Sequence, residues 1–143
     1  MKNLLLFIVL FYSITISGQQ SRTDSLFSLL SKAKEDKVRV NLLAELSGEF
    51  VNSNPDSVFL LASKGLQIAQ AVGYLEGEIR CKANLAGYWW TVGDYATAVK
   101  LLLQVLAFYK SQNNPIVAKV YSGLLNSYRD QGDYQEALYY SSL

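Results

Sequence analysis

An all-α stack of antiparallel helical hairpins is the fold this sequence predicts, and three observations lead there. Apolar residues recur at three- and four-residue spacing, as on a helix with one buried face. Strand-like alternation is absent from the same stretches. The pattern also repeats: Leu46, Leu85 and Leu124 stand 39 residues apart, and Phe50, Trp89 and Tyr128 follow at the same interval. A fixed period of this size marks hairpins that stack on one another.

The first twenty residues stand outside the pattern. Lys2 gives a positive start, Leu4 to Ile16 is almost wholly apolar, and Ser17 and Gly18 are small residues suited to signal peptidase. That apolar core is shorter than the ~20 residues a spanning helix needs. The expectation is a cleavable signal peptide over residues 1–18, ahead of an uncleaved anchor, and a periplasmic or other extracytoplasmic location. Any membrane contact runs through that export signal or a segment downstream of this sequence.

Residues 19–36 are expected to hold a short leading helix. Asp24 to Lys34 puts Leu26, Leu29, Leu30 and Ala33 on one stripe, able to cap the open start of a stack. The repeats follow at about 37–74, 75–113 and 114–143. In the first, Leu42, Leu43, Leu46 and Phe50 mark one helix, and Asn54-Pro55-Asp56-Ser57-Val58 opens the next. In the second, Leu85, Ala86, Trp89 and Trp90 are followed by the turn Gly93-Asp94-Tyr95. In the third, Val120, Tyr121, Leu124, Leu125 and Tyr128 are followed by Gly132-Asp133-Tyr134. Gly93 and Gly132 can take the positive φ that ends a helix. Asp94 and Asp133 can cap the next helix through its backbone N–H groups. Tyr95 and Tyr134 are expected to pack back across their hairpins. Ala98 and Ala137 are small where two helices approach, and Pro115 falls where a missing N–H costs little. The third unit stops inside its second helix, leaving Ala137, Leu138 and Tyr140 without a covering hairpin. A longer protein, or self-association through this incomplete repeat, is the expectation.

These residues resemble the tetratricopeptide repeat family. Tyr121-x-x-Leu124-Leu125-x-x-Tyr128 followed by Ala137 carries the likeness best. Lys82-x-x-Leu85-Ala86-x-x-Trp89 with Ala98 and Leu102, and Leu43-x-x-Leu46-Ser47-x-x-Phe50 with Val58 and Ala62, follow. The likeness covers residues 37–143, with a period of 39 against the family's usual ~34. The long-period variety is similar to the exported N-terminal repeat region of bacterial signalling proteins. The resemblance implies a right-handed superhelical α-solenoid of about two and a half units. It implies a non-catalytic module that binds a protein or peptide, as the exported N-terminal part of a signal-transduction protein. A free-standing periplasmic scaffold with no output domain is the alternative.

Composition narrows the function further. The chain has no histidine, which removes Ser-His-Asp and Cys-His catalysis and His-ligated zinc. No paired-carboxylate or phosphate-loop motif stands out, so no catalytic residue, metal or cofactor is expected. Thirteen basic residues against twelve acidic ones leave a formal charge of +1, which gives no footprint for nucleic acid. The single Cys81 has no partner for an internal disulfide and reads as a small buried apolar side chain.

The resemblance places partner contacts on exposed positions of each first helix. Carried onto this sequence, these include Asn41, Ala44 and Glu45, then Arg80, Asn84 and Trp90, then Asn126 and Arg129. Asn offers both donor and acceptor to a peptide backbone. Arg can hold a carboxylate bidentately, and Trp is a frequent anchor at interfaces. Competing readings exist: Arg80 stands four residues after Glu76, the spacing of a surface pair, and Trp90 beside Trp89 also suits core packing.

Overall fold

The computed structural model describes residues 22–112 and 114–143, so the expected signal peptide lies outside the described residues. Seven α-helices and no strand occur among them. A helix over 22–32 (α1) leads. Three hairpins follow: Asp36–Phe50 (α2) with Pro55–Ala71 (α3), Leu75–Thr91 (α4) with Tyr95–Tyr109 (α5), and Ile116–Gln131 (α6) with Tyr134–Ser141 (α7). From α2 onward each helix packs on the next in chain order, and α2 also packs on α4. The fold is an all-α solenoid.

The turn chemistry sets the hairpins. Asn54 accepts a hydrogen bond from the Ser57 N–H at 3.0 Å, and Asp94 accepts one from the Thr97 N–H at 3.0 Å. Asp133 accepts from the Glu136 N–H at 3.3 Å, closing the third cap. Each satisfies a donor that the first helical turn leaves unpaired. The Thr97 hydroxyl also donates to Asp94, and these two bonds hold the Asp94 carboxyl below its ordinary pKa. Gly93 (φ 85°) and Gly132 (φ 90°) take the left-handed conformation. Pro115 is the N-cap of α6.

Packing follows the 39-residue register. Leu46 and Leu124 are fully buried and Leu85 nearly so. One core cluster joins Leu26 of α1 to Leu43, Leu46 and Leu61. A second sets Val40, Ala44 and Ala69 against Cys81. A third ties Ile79, Val99, Val105, Leu106 and Tyr109 to Val120 and Leu124. Ala98 and Ala137 are buried, as helix approach requires.

Three expectations need correction. Leu29 is 55% exposed, so the buried face of α1 is carried by Leu26 with Leu30 packed beside it. Tyr134 is 71% exposed and does not pack across its hairpin, whereas Tyr95 is half-buried. The ring of α7 that packs back on α6 is Tyr140, stacked on Tyr128 at 5.7 Å. Ala44 is buried, because its side chain faces Val40, Ala69 and Cys81 rather than solvent.

Candidate functional site

The first helices α2, α4 and α6 form the side of the stack where partner contacts were expected. Where α2 meets α4, the polar residues of that side bond to one another. Arg80 donates from Nη1 to Asn41 Oδ1 at 3.0 Å, and the Tyr74 hydroxyl donates to the same oxygen at 3.2 Å. Asn84 donates from Nδ2 to the Ala44 carbonyl at 2.7 Å and to Ser47 Oγ at 2.5 Å. Ser47 in turn donates to the Ala44 carbonyl at 2.9 Å and is fully buried. Asn41, Arg80 and Asn84 therefore bridge neighbouring hairpins, and Arg80 turns to Asn41 rather than to Glu76. Glu45 pairs with Arg22 of α1 at 3.0 Å, which ties the leading helix to the first hairpin.

The junction is also sterically full. A Cβ on Gly65 would meet Cys81 Sγ at 2.7 Å and Leu43 Cβ at 3.3 Å. A Cβ on Gly77 would meet Tyr74 and Val40 at 2.5 Å. Burial pushes the Cys81 thiol up to about 11, with the Arg80 charge opposing weakly. A thiol held protonated in this way is a poor nucleophile. Gly65, Gly77 and Tyr74 escaped the sequence reading, since only the three-dimensional approach of α3 and α4 gives them work.

Where α4 meets α6 the arrangement opens. A cleft of about 590 Å³ is lined by Ala83, Asn84 and Gly87 of α4, Leu102 of α5, and Ile116, Lys119 and Val120 of α6. A second hollow of about 190 Å³ shares Ala83, Gly87 and Leu102 and adds Trp90, Gly123, Asn126 and Ser127. Leu102 lies over Gly123, with its Cδ1 3.1 Å from where a Cβ would stand. Trp90 is 40% exposed and donates from Nε1 to Asp130 Oδ2 at 3.0 Å, bridging the far end. Arg129 donates to Asp130 at 3.0 Å, and this bond, with the indole, holds the Asp130 carboxyl below its ordinary pKa. Trp89 turns elsewhere, packing on Phe59 and Tyr88 at 6.1 and 5.1 Å. Ser127 is 1% exposed and its Oγ has no hydrogen-bond partner among the described residues.

Comparison with known proteins agrees with this geometry. Residues 79–111, most of α4 and α5, match a family model described as tetratricopeptide repeat. The solved TPR domain of Arabidopsis FLU superposes with a TM-score of 0.67 at 19% identity, covering 76% of this chain and 92% of that one. The second hairpin thus matches a tetratricopeptide repeat, and the stack shares the fold of a tetratricopeptide-repeat domain. At that identity the FLU domain speaks to the fold alone. No curated protein matches the sequence. The family match falls on the second hairpin, the unit that contributes α4 to both junctions. Among the described residues, no group of His, Cys, Asp and Glu is placed to hold a metal ion. No helix among them is long and apolar enough to cross a membrane.

Proposed function

We propose that this chain is a non-catalytic module for protein–protein interaction, and that it holds a peptide segment of its partner in the cleft between α4 and α6. The observation that carries the reading is that cleft: an apolar trough on the first-helix side, bounded by Trp90 and with unused polar groups on its wall. Ligand sites of this kind are concave, mostly apolar, and carry few polar groups that fix orientation. Of the expected partner residues, Asn84, Trp90 and Asn126 line it, while Asn41, Glu45 and Arg80 support the stack and Arg129 holds Asp130. Selection of a random displayed peptide library on the full chain tests the reading. Enriched peptides that shift Trp90 emission support it; a selection that enriches nothing overturns it.

We further propose export and a place at the N-terminal end of a bacterial signal-transduction protein. Lys2, the apolar run from Leu4 to Ile16 and the small residues Ser17 and Gly18 support export. The order of signal, short helix and long-period repeats supports the signalling context. Fusing residues 1–24 to a phosphatase that is active only outside the cytoplasm reads the first directly, and an inactive fusion sinks it. An output domain in the same reading frame decides the second against a free-standing scaffold.

A further inference from the structure

Register comparison shows how the smaller hollow between α4 and α6 arises. Advancing 39 residues takes Asn84 to Gly123 and Ser47 to Ala86. The amide that bridges α4 to α2, and the hydroxyl that receives it, therefore have no counterparts between α6 and α4. Leu102 comes in from the flank and covers Gly123. Space remains with Leu102 in place: about 190 Å³, walled by Ala86, Gly87 and Trp90 of α4 and by Asn126 and Ser127 of α6.

Three properties of this space define what fits. Its size is that of one ring, since an apolar cavity of ~150 Å³ holds a benzene molecule. Its lining is uncharged: no Lys, Arg, Asp or Glu side chain borders it among the described residues. A charged ligand would lose its hydration there with no ion to replace it. The third property is an orphan hydroxyl. Ser127 is 1% exposed, and its Oγ has no hydrogen-bond partner among the described residues. On α6, Gly123, Asn126 and Ser127 are spaced i, i+3 and i+4 and share one face. Helix side chains lean toward the N-terminus, so Ser127 leans over the Gly123 turn, which also lines the hollow. A buried hydroxyl without a partner carries a desolvation cost that nothing in the fold returns. The Asn126 amide, on the same face, makes no hydrogen bond among the described residues. Trp90 adds an aromatic surface, and its bond from Nε1 to Asp130 at 3.0 Å holds the indole in place.

We infer that this hollow binds a small uncharged aromatic molecule, one six-membered ring carrying a single hydroxyl or carboxamide group. The ring packs against the Trp90 indole and the small side chains of α4, with Leu102 unmoved. The polar group meets Ser127, whose hydroxyl both donates and accepts and swings among three rotamers about one bond. Asn126 takes the second hydrogen bond of a carboxamide. A peptide main chain is a poor occupant, because it brings more polar groups than the two side chains here can satisfy. Such a site stands whether or not a peptide occupies the larger cleft beside it.

Titration of the full, isotope-labelled chain with phenol, benzamide, toluene and benzoate tests the site. The readout is the pair of indole N–H signals in a proton–nitrogen correlation spectrum, one from each tryptophan. The Trp90 signal, assigned by its loss in Trp90→Phe, is expected to move with phenol and benzamide and to ignore benzoate. The Trp89 signal is expected to stay, since that ring packs on Phe59 and Tyr88. Ser127→Ala is expected to weaken phenol about fivefold, the worth of one hydrogen bond, and to leave toluene unchanged. Asn126→Ala is expected to weaken benzamide more than phenol. Gly87→Leu, whose Cβ meets nothing nearer than Val51 at 3.8 Å, fills the hollow and is expected to abolish binding with helical circular dichroism unchanged. A Trp90 signal that neither phenol nor benzamide moves, benzoate binding as well as benzamide, or a Ser127→Ala chain that keeps its phenol affinity overturns the inference. Phenol binding by a chain on which displayed peptides enrich nothing upholds the ring site and sinks the peptide reading. Enriched peptides without phenol or benzamide binding do the reverse.

Discussion

Where α4 meets α2, Asn84 and Arg80 reach across to Ser47, Ala44 and Asn41, and glycines at 65 and 77 let the helices close. Where α4 meets α6, a glycine, an alanine and a leucine occupy the corresponding ground and a cleft remains. The same helix thus presents a bonded edge to one neighbour and an open one to the other. Close bonding and open space are divided between two junctions, and the division is made by a few side chains rather than by the backbone.

The sharpest way to break the contrast is to overfill the closed side. Gly65→Ala drives a methyl onto Cys81 Sγ and Leu43, where nothing is free to yield. Overpacking a closed core typically costs roughly 1–3 kcal/mol, more than the better helix propensity of alanine returns. Urea denaturation is expected to show that loss, and an unchanged midpoint would contradict the tight approach of α3 to α4. Asn84→Ala comes next. It removes two bridging hydrogen bonds and takes away the donor that Ser47 Oγ accepts from, for about 1–2 kcal/mol by the usual worth of such bonds. The variant should also make the first junction resemble the second, seen as faster amide exchange along α2.

Ser127→Ala probes the open side with the opposite sign. Its hydroxyl is buried without a partner, so its removal is expected to be neutral or to stabilise by about 1 kcal/mol. The matching Ser47→Ala destabilises, because that hydroxyl both donates and accepts. A thermal melt of the pair reads the difference in one experiment, and equal midpoints would erase the distinction between the junctions. The smallest effect is a pH dependence. With its thiol raised to about 11 from about 9, Cys81 keeps its proton in the folded chain while the unfolded chain loses it. The contribution is complete below pH 9 and is lost as pH rises toward 11. The slope of stability against pH in that window should be shallower for Cys81→Ala than for the wild type.

The sequence carried the hairpins well because they rest on local chemistry. Asp94, Asp133 and Asn54 cap within three residues of themselves, and Gly93 and Gly132 announce the turns they make. The core followed from a period that survives packing, as Leu46 and Leu124 show. The site was less legible. Asn41 and Arg80 carry the residue types of a binding surface, yet their bonds run to each other, and only the crossing of two helices reveals it. Ala44 sits on the expected face but turns inward by part of a turn. The cleft depends on Gly123 and Leu102 together, from different helices, and neither is informative alone. Tyr134 follows the pattern of Tyr95 in sequence but not in burial, since on α7 it is Tyr140 that packs back on Tyr128.

The bond between Arg80 and Asn41 joins two residues that hold the same place in successive units, 39 positions apart. The second unit thus reads the first at one address, while the third unit carries Lys119 at that register and no bond to Arg80 forms there among the described residues. Identical copies would set arginine against arginine there, a contact that two cations with no acceptor cannot make. The units are therefore not interchangeable parts. Their order along the chain is written into the mismatch between copies, and a duplication of the second hairpin would bring Arg80 against its own duplicate until one of the two had changed.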